Sequence, residues 1–194
     1  MILSDDTIES HIPYYLTQEA KQGLIKALDD FPKKINYHTS RYPDEILQGD
    51  VMQGMQIINF DNGERKFIKG ILLSNSCDMD IANNRDFQIK CTFAPLINIK
   101  KYIDLLRKGG MEECKIDNKI RSIKEQKVTY IFFLPKSDYL KEDYIALLSD
   151  LHTLPLSYIN QNCKKLFTLS QAGFYIFIFK LSVHFCRFHE NVER

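Results

Sequence analysis

Asp61-Asn62-Gly63 stands between two strand-length runs, residues 50–59 and 66–74, and this pairing limits the fold more than any other feature of the chain. Asn-Gly adopts the positive backbone angles of a tight hairpin turn at little cost. The second run contains Ile71-Leu72-Leu73, an unbroken apolar stretch of the kind that is covered on both faces. A third run, residues 87–96, alternates Phe87, Ile89, Cys91 and Phe93 with Gln88, Lys90 and Thr92. Pro95 is expected to end that ladder.

Other elements follow from caps and periodicity. Thr17 is placed to cap a helix with Ala20, Leu24, Ala27 and Leu28 on one face, closed by Asp29-Asp30 and Pro32. Asn98 caps a helix over residues 99–108 that Gly109-Gly110 ends. Residues 111–126 are charged and show no clear period. Residues 128–134 read as a strand. Residues 144–151 read as another, although their Ala-Leu-Leu core also suits a helix, and residues 155–159 read as short and extended. From Leu169 to Phe188 apolar residues fall on nearly every face of a long helix, with a strand over 174–179 as the alternative.

The expected class is α+β: four to six short strands curled into a small antiparallel barrel or half-barrel, flanked by helices. An arm and helix occupy residues 1–45, the barrel with its inserted helix 46–160, and the apolar helix 161–194. That helix is expected to pack on the barrel or on a partner, either a second copy or another protein.

Charge and cysteine usage narrow the function classes. With 26 Lys and Arg against 25 Asp and Glu, no global basic field exists, so contact with nucleic acid needs a local patch. The five cysteines are widely spaced with no Cys-x-x-Cys pair, which points to reduced thiols in a cytoplasmic setting and to neither disulfide framework nor zinc site. The first residues lack a basic n-region before an apolar core, and Lys180, His184 and Arg187 interrupt the longest apolar stretch, so neither secretory signal nor membrane span is expected. No cofactor is implied.

The candidate site is the elbow after the second strand, Ser74-Asn-Ser-Cys-Asp-Met-Asp80, followed by Asn83-Asn84-Arg85. Two readings of Cys77-Asp78 stand. In one, both line a cleft and Lys69 or Arg85 supplies the positive neighbour that a thiolate needs. In the other, Cys77 is a small buried residue and Asp78 satisfies turn amides. Asp78 and Asp80 form an Asp-x-Asp pair but lack a third ligand, so no metal site is assigned. Asn84 is a further polar candidate. Arg65, Lys66 and Lys69 around the hairpin, with Arg85 after the elbow, are candidate phosphate contacts, or else a solvated face. His184, Arg187, His189 and Glu190 read as a polar stripe on the terminal helix, and Lys164-Lys165 as ordinary surface charges.

Gly49-Asp50-Val51, the basic hairpin, Gly70-Ile-Leu-Leu-Ser74 and the third strand with Thr92 together resemble the start of the MazF/PemK-type toxin family, over about a quarter of the chain. Ser74-Asn-Ser-Cys-Asp78 and the stretch from Leu169 to Arg187 resemble a bacterial Ser-x-x-Cys-Asp group often found near mobile elements or phage-defence genes. The resemblance implies an SH3-like barrel and RNA as a partner, in a toxin–antitoxin or phage-defence setting. It also implies a possible reaction, metal-independent cleavage of single-stranded RNA through the 2′-hydroxyl. Lys69 and Arg85 would then stabilise the phosphorane, Asp78 transfer a proton and Thr92 orient the phosphate. The family's Arg-Pro pair is replaced here by Ile68-Lys69-Gly70, and lysine does not reproduce bidentate recognition of a phosphate. The sequence therefore favours a binding module, with the endoribonuclease as the alternative.

Overall fold

The computed structural model describes residues 35–83 and 86–185, together with Gln22 and Phe31. The helix expected from Thr17, the arm before it, Asn84, Arg85, Arg187, His189 and Glu190 lie outside the described residues, apart from Gln22, which is helical.

Strand β1 (His38–Thr39) precedes the hairpin strands β2 (Val51–Ile58) and β3 (Arg65–Leu72). A single turn, α1 (Ser76–Met79), leads to β4 (Lys90–Asn98), then to helices α2 (Ile99–Lys108) and α3 (Glu113–Lys124). Strands β5 (Ile131–Leu134), β6 (Tyr144–Leu147) and β7 (His152–Pro155), helix α4 (Leu156–Asn162), β8 (Lys164–Leu169) and α5 (Gln171–Phe185) complete the order. All pairings are antiparallel. The strands run β1-β8-β2-β3-β4-β6-β5, with β7 also on β4. The class is α+β, a curled half-barrel sheet with eight strands and five helices among the described residues.

Eight strands exceed the four to six expected, and β4 explains part of the difference. Pro95 does not end its ladder, because β4 continues to Asn98. Thr92 directs its carbonyl to the N–H of Leu73, the residue after β3, so by alternation Pro95 turns its nitrogen to the opposite edge. There β4 pairs β7 up to Phe93 and β6 from Leu96 onward. The missing N–H falls where that edge changes partner, so no ladder bond is lost. This change of partner lets β6 and β5 diverge from β7 and opens the sheet. Phe87, expected to begin the strand, is 87 % exposed and precedes it.

The sheet is buried on both faces. One face packs Val51, Ile71, Ala94 and Phe167 against Phe177 and Ile176 of α5. Ala172, Gly173, Ile176, Phe177 and Lys180 form the buried face of α5, at helical spacing. The other face packs Met55, Leu72, Cys91 and Phe93 against Met79 of α1 and Leu156 and Ile159 of α4. Under α2 and α3 a third cluster gathers Ile99, Ile123, Ile131, Phe133 and Ile145.

The Asn98 cap holds as expected: its side chain accepts from the Lys100 N–H, and Gly109 closes α2. Residues 113–124 form a helix although their charge concealed it; Ile116, Ile120 and Ile123 supply the inward face. Residues 156–162 are helical rather than extended, because Pro155 ends β7 and leaves Leu156 and Ile159 one turn apart on the core. The long terminal helix begins at Gln171, and Leu169 belongs to β8. No described helix is long and apolar enough to cross a membrane.

Gly54 interrupts the β2–β3 register between Gln53 and Met55. Its φ is +95°, and a Cβ there would lie 2.8 Å from the Asn162 carbonyl oxygen. Gly54→Ala is expected to lower the unfolding free energy by about 2 kcal/mol, read by urea denaturation. An unchanged midpoint would show that the bulge relaxes without cost.

Candidate nucleic-acid interface

The tip of the β2–β3 hairpin is closed by its own bonds. Asn59 N–H donates to the Glu64 carbonyl at 2.9 Å and Gly63 N–H to the Asn59 carbonyl at 2.7 Å. The Asn59 and Asn62 side chains accept from Asp61 and Glu64 N–H, both at 2.9 Å. Around this rigid turn the large side chains are left outside. Phe60 is 91 % exposed and Phe67 71 % exposed. Arg65 pairs across the hairpin with Ile58, Lys66 with Ile57 and Phe67 with Gln56. Arg65 and Lys66 are also exposed. Lys66 lies 3.2 Å from Glu64, with both side chains about half exposed, a pair that contributes little and opens readily. Two aromatic side chains and two cations are thus exposed on one small element.

Beside the hairpin the curled sheet fails to close. Among the described residues, strand β8 pairs with β2 only from Val51 to Gln53, and β7 has only β4 as a strand partner. The outer half of β2, β7 and α4 therefore frame a groove of about 310 Å³. Ile57, Leu154 and Phe60 give it apolar walls, and Gln56, His152, Thr153 and Tyr158 add polar groups. Tyr158 Oη donates to Gln56 Oε1 at 3.2 Å. The His152 ring stacks on Phe93, with centroids 5.6 Å apart. Its Nε2 is buried and lies 3.1 Å from Asp150 Oδ1 without hydrogen-bond alignment.

The elbow is built differently from the sequence expectation. Most of its polar side chains serve the turn itself. Asn75 Oδ1 accepts from Cys77 N–H at 2.9 Å, Asp80 Oδ1 from Ala82 N–H at 2.9 Å, and Ser76 Oγ from Gln48 N–H at 2.9 Å. Asp80 thus closes an Asx turn. Ser74 Oγ accepts from Thr92 N–H at 2.8 Å, which seats Thr92 beneath the elbow. Met79 anchors the turn in the core, while Cys77 and Asp78 are exposed, so the buried-cysteine reading does not describe Cys77.

Among the described residues, Arg65, Lys66 and Lys69 do not gather there. Arg65 and Leu72 are the two ends of β3, roughly 23 Å apart at the rise of an extended strand. The hairpin pair Arg65 and Lys66 therefore does not flank the elbow. Lys69 lies over the Tyr144 ring, 5.3 Å from its centroid, with Nζ 3.4 Å from Tyr144 Oη. The register Gly70↔Pro95 to Leu72↔Phe93 sets Lys69 about four residues along the strands from Thr92, roughly 13 Å. Thr92 and Asp78 share the elbow; Lys69 belongs to another part of the sheet.

Gly49-Asp50-Val51 has a structural task that the sequence reading missed. Asp50 is fully buried, and its carboxylate lies 2.8 Å from Lys165 Nζ, whose side chain is 13 % exposed. It also accepts from Thr168 Oγ1 at 2.7 Å and Leu47 N–H at 2.8 Å. Burial pushes the Asp50 carboxyl above its usual range, opposed by these donors. Lys165 Nζ donates further to the Tyr42 and Glu45 carbonyls, at 2.8 and 2.9 Å. Lys165 is therefore no ordinary surface charge. It ties the loop before β2 to β8.

Sequence reasoning singled out Arg65 and Lys66 as candidates and passed over Phe60, Phe67 and the groove residues. Phe60 was detectable, since an aromatic directly before Asp61-Asn62-Gly63 has little sheet to pack against. The groove joins residues about a hundred positions apart and leaves no local pattern. No family model matches the chain, and no curated protein matches it significantly.

Proposed function

We propose that this protein is a nucleic-acid-binding module on a MazF/PemK-like, SH3-like barrel, directed at single-stranded RNA in a bacterial phage-defence or toxin–antitoxin setting. One observation carries the reading: Phe60 and Phe67 stand exposed beside Arg65 and Lys66 on a hairpin whose turn is internally bonded. Exposed phenylalanines add nothing to the core, whereas aromatic faces beside cations stack bases and hold phosphates. The near-neutral chain as a whole leaves this local patch to supply the attraction. Cleavage draws less support, because Lys69 is separated from Thr92 and Asp78.

Binding of a labelled RNA octamer, followed by fluorescence anisotropy in EDTA, tests the reading. Affinity should fall with salt, and Arg65→Ala or Lys66→Ala should each flatten the log–log salt slope by roughly 0.7. Phe67→Ala should weaken binding by about 1–3 kcal/mol. Absence of salt-dependent binding would sink the proposal. Shortening of the octamer during the titration would favour the nuclease.

A further inference from the structure

We infer that the bound strand runs on from the hairpin tip across the open end of one sheet face, with Lys69 and Lys164 as further phosphate contacts and Tyr144 as a second stacking ring. The inference rests on the RNA-binding reading above and names where the strand goes after Phe67.

Alternation along the strands defines the face. Ile68 packs on one side of the sheet with Met55 and Leu72, whereas Ile71 turns to the other side, toward α5. Arg65, Phe67 and Lys69 therefore share the Ile71 side of β3. Gln53 lies on the same side as Val51, and it pairs with Lys69 of β3 and with Lys164 of β8. Residues directly opposite in an antiparallel pair point to one face, so Lys164 joins this surface. At Val51 and Ile71 the face is covered by α5. Toward the hairpin it is open: Arg65, Phe67, Gln53 and Lys164 are all exposed.

Two lines of side chains meet on this surface at Lys69. Along β3, Arg65, Phe67 and Lys69 span roughly 13 Å, with the ring between the cations. Across the strands, Lys164, Gln53 and Lys69 stand roughly 5 Å from one to the next. The Lys69 ammonium then reaches the Tyr144 ring of β6, 5.3 Å from its centroid. Arg65, Lys69 and Lys164 form no ion pair among the described residues, so their charge is not offset. On a chain of net charge +1 they supply a local field for an anion. Rings set between cations suit a single strand, whose bases stack while its phosphates meet the charges. The carboxylates of an acidic peptide would meet the same cations but gain nothing from the negative face of a ring.

Titrations of the labelled RNA octamer test the path. Lys69→Ala and Lys164→Ala should each flatten the log–log salt slope by roughly 0.7. Lys108→Ala, which removes an exposed cation on α2, should leave the slope unchanged. Tyr144→Leu should weaken binding about tenfold, and Tyr144→Phe, which keeps the ring, should bind as the native protein does. Lys164 is exposed, so its variant reads binding apart from folding. Unchanged slopes in both lysine variants, or a Tyr144→Leu protein that folds and binds normally, would overturn the path and leave the hairpin reading standing. Equal flattening by Lys108→Ala would show attraction spread over the whole surface and overturn it as well. Octaglutamate that displaces the octamer as effectively as unlabelled RNA would assign the face to acidic peptides and overturn it too. Failure of the octamer to bind at all would overturn both readings.

Discussion

Lys165→Met is expected to lower the unfolding free energy by about 3–5 kcal/mol, the usual loss when one partner of a buried ion pair is removed. The variant keeps the apolar stem of the side chain and deletes the charge. Asp50 is fully buried, so its carboxylate must then ionise without compensation or take up a proton. The loop carbonyls of Tyr42 and Glu45 lose their donor in the same step. Since a domain is stabilised by only about 5–15 kcal/mol, the variant approaches the limit of folding. Denaturation by urea reads the loss directly. The double variant Asp50→Asn with Lys165→Met removes both charges and should recover part of it. A loss below about 1 kcal/mol for Lys165→Met would show that the pair is solvated in practice and does not organise the loop.

Lys180 yields the second large effect, through pH. It lies on the buried face of α5, its ammonium donating to the Gln126 carbonyl, and burial lowers its pKa from 10.5 to about 8. The unfolded chain therefore binds the proton more readily than the folded one between about pH 8 and 10.5. Stability from this group rises with pH across that window, and its penalty is fully present below about pH 8. Cys91 acts in the opposite sense, because burial raises its thiol from 9.0 to about 11. A comparison with Lys180→Met isolates the lysine. Relative to the native protein, that variant should lose about 2.5 kcal/mol of its advantage between pH 7 and pH 10. Parallel stability curves for the two proteins would mean that the amine reaches water when charged. Gln126, with φ of +57°, also donates to the Phe133 carbonyl and accepts from its N–H, so the buried amine rests on a fixed turn between α3 and β5.

These effects and the proposed interface differ in how far the chain announces them. The hairpin was legible because Asn62-Gly63 fixes the turn and the flanking apolar runs fix the strands. The helix after Asn98 was legible for the same kind of reason, since cap, periodic face and terminal Gly109-Gly110 all lie within a dozen residues. The helix at 113–124 was hidden because its inward face is only Ile116, Ile120 and Ile123 among charges. Residues 155–169 misled because short apolar runs suit either state until their partners are known; Leu156 and Ile159 meet the core as one helical face, and Phe167 pairs with Val51 as a strand. The elbow was singled out by its run of polar residues after an apolar strand. Most of its polar residues proved to serve the turn, while Cys77 and Asp78 are exposed.

By itself the sequence determined whatever depends on neighbours along the chain: the hairpin turn, the Asn98 cap, the apolar strands and the α+β class. Only the tertiary structure decided which charges meet. It buried Lys165 on Asp50, moved Arg65 and Lys66 a full strand length from the elbow, and opened a groove between β2 and β7. The physical reason is range. Caps and turns act within a few residues, whereas ion pairs and grooves form between segments that the curl of the sheet brings together.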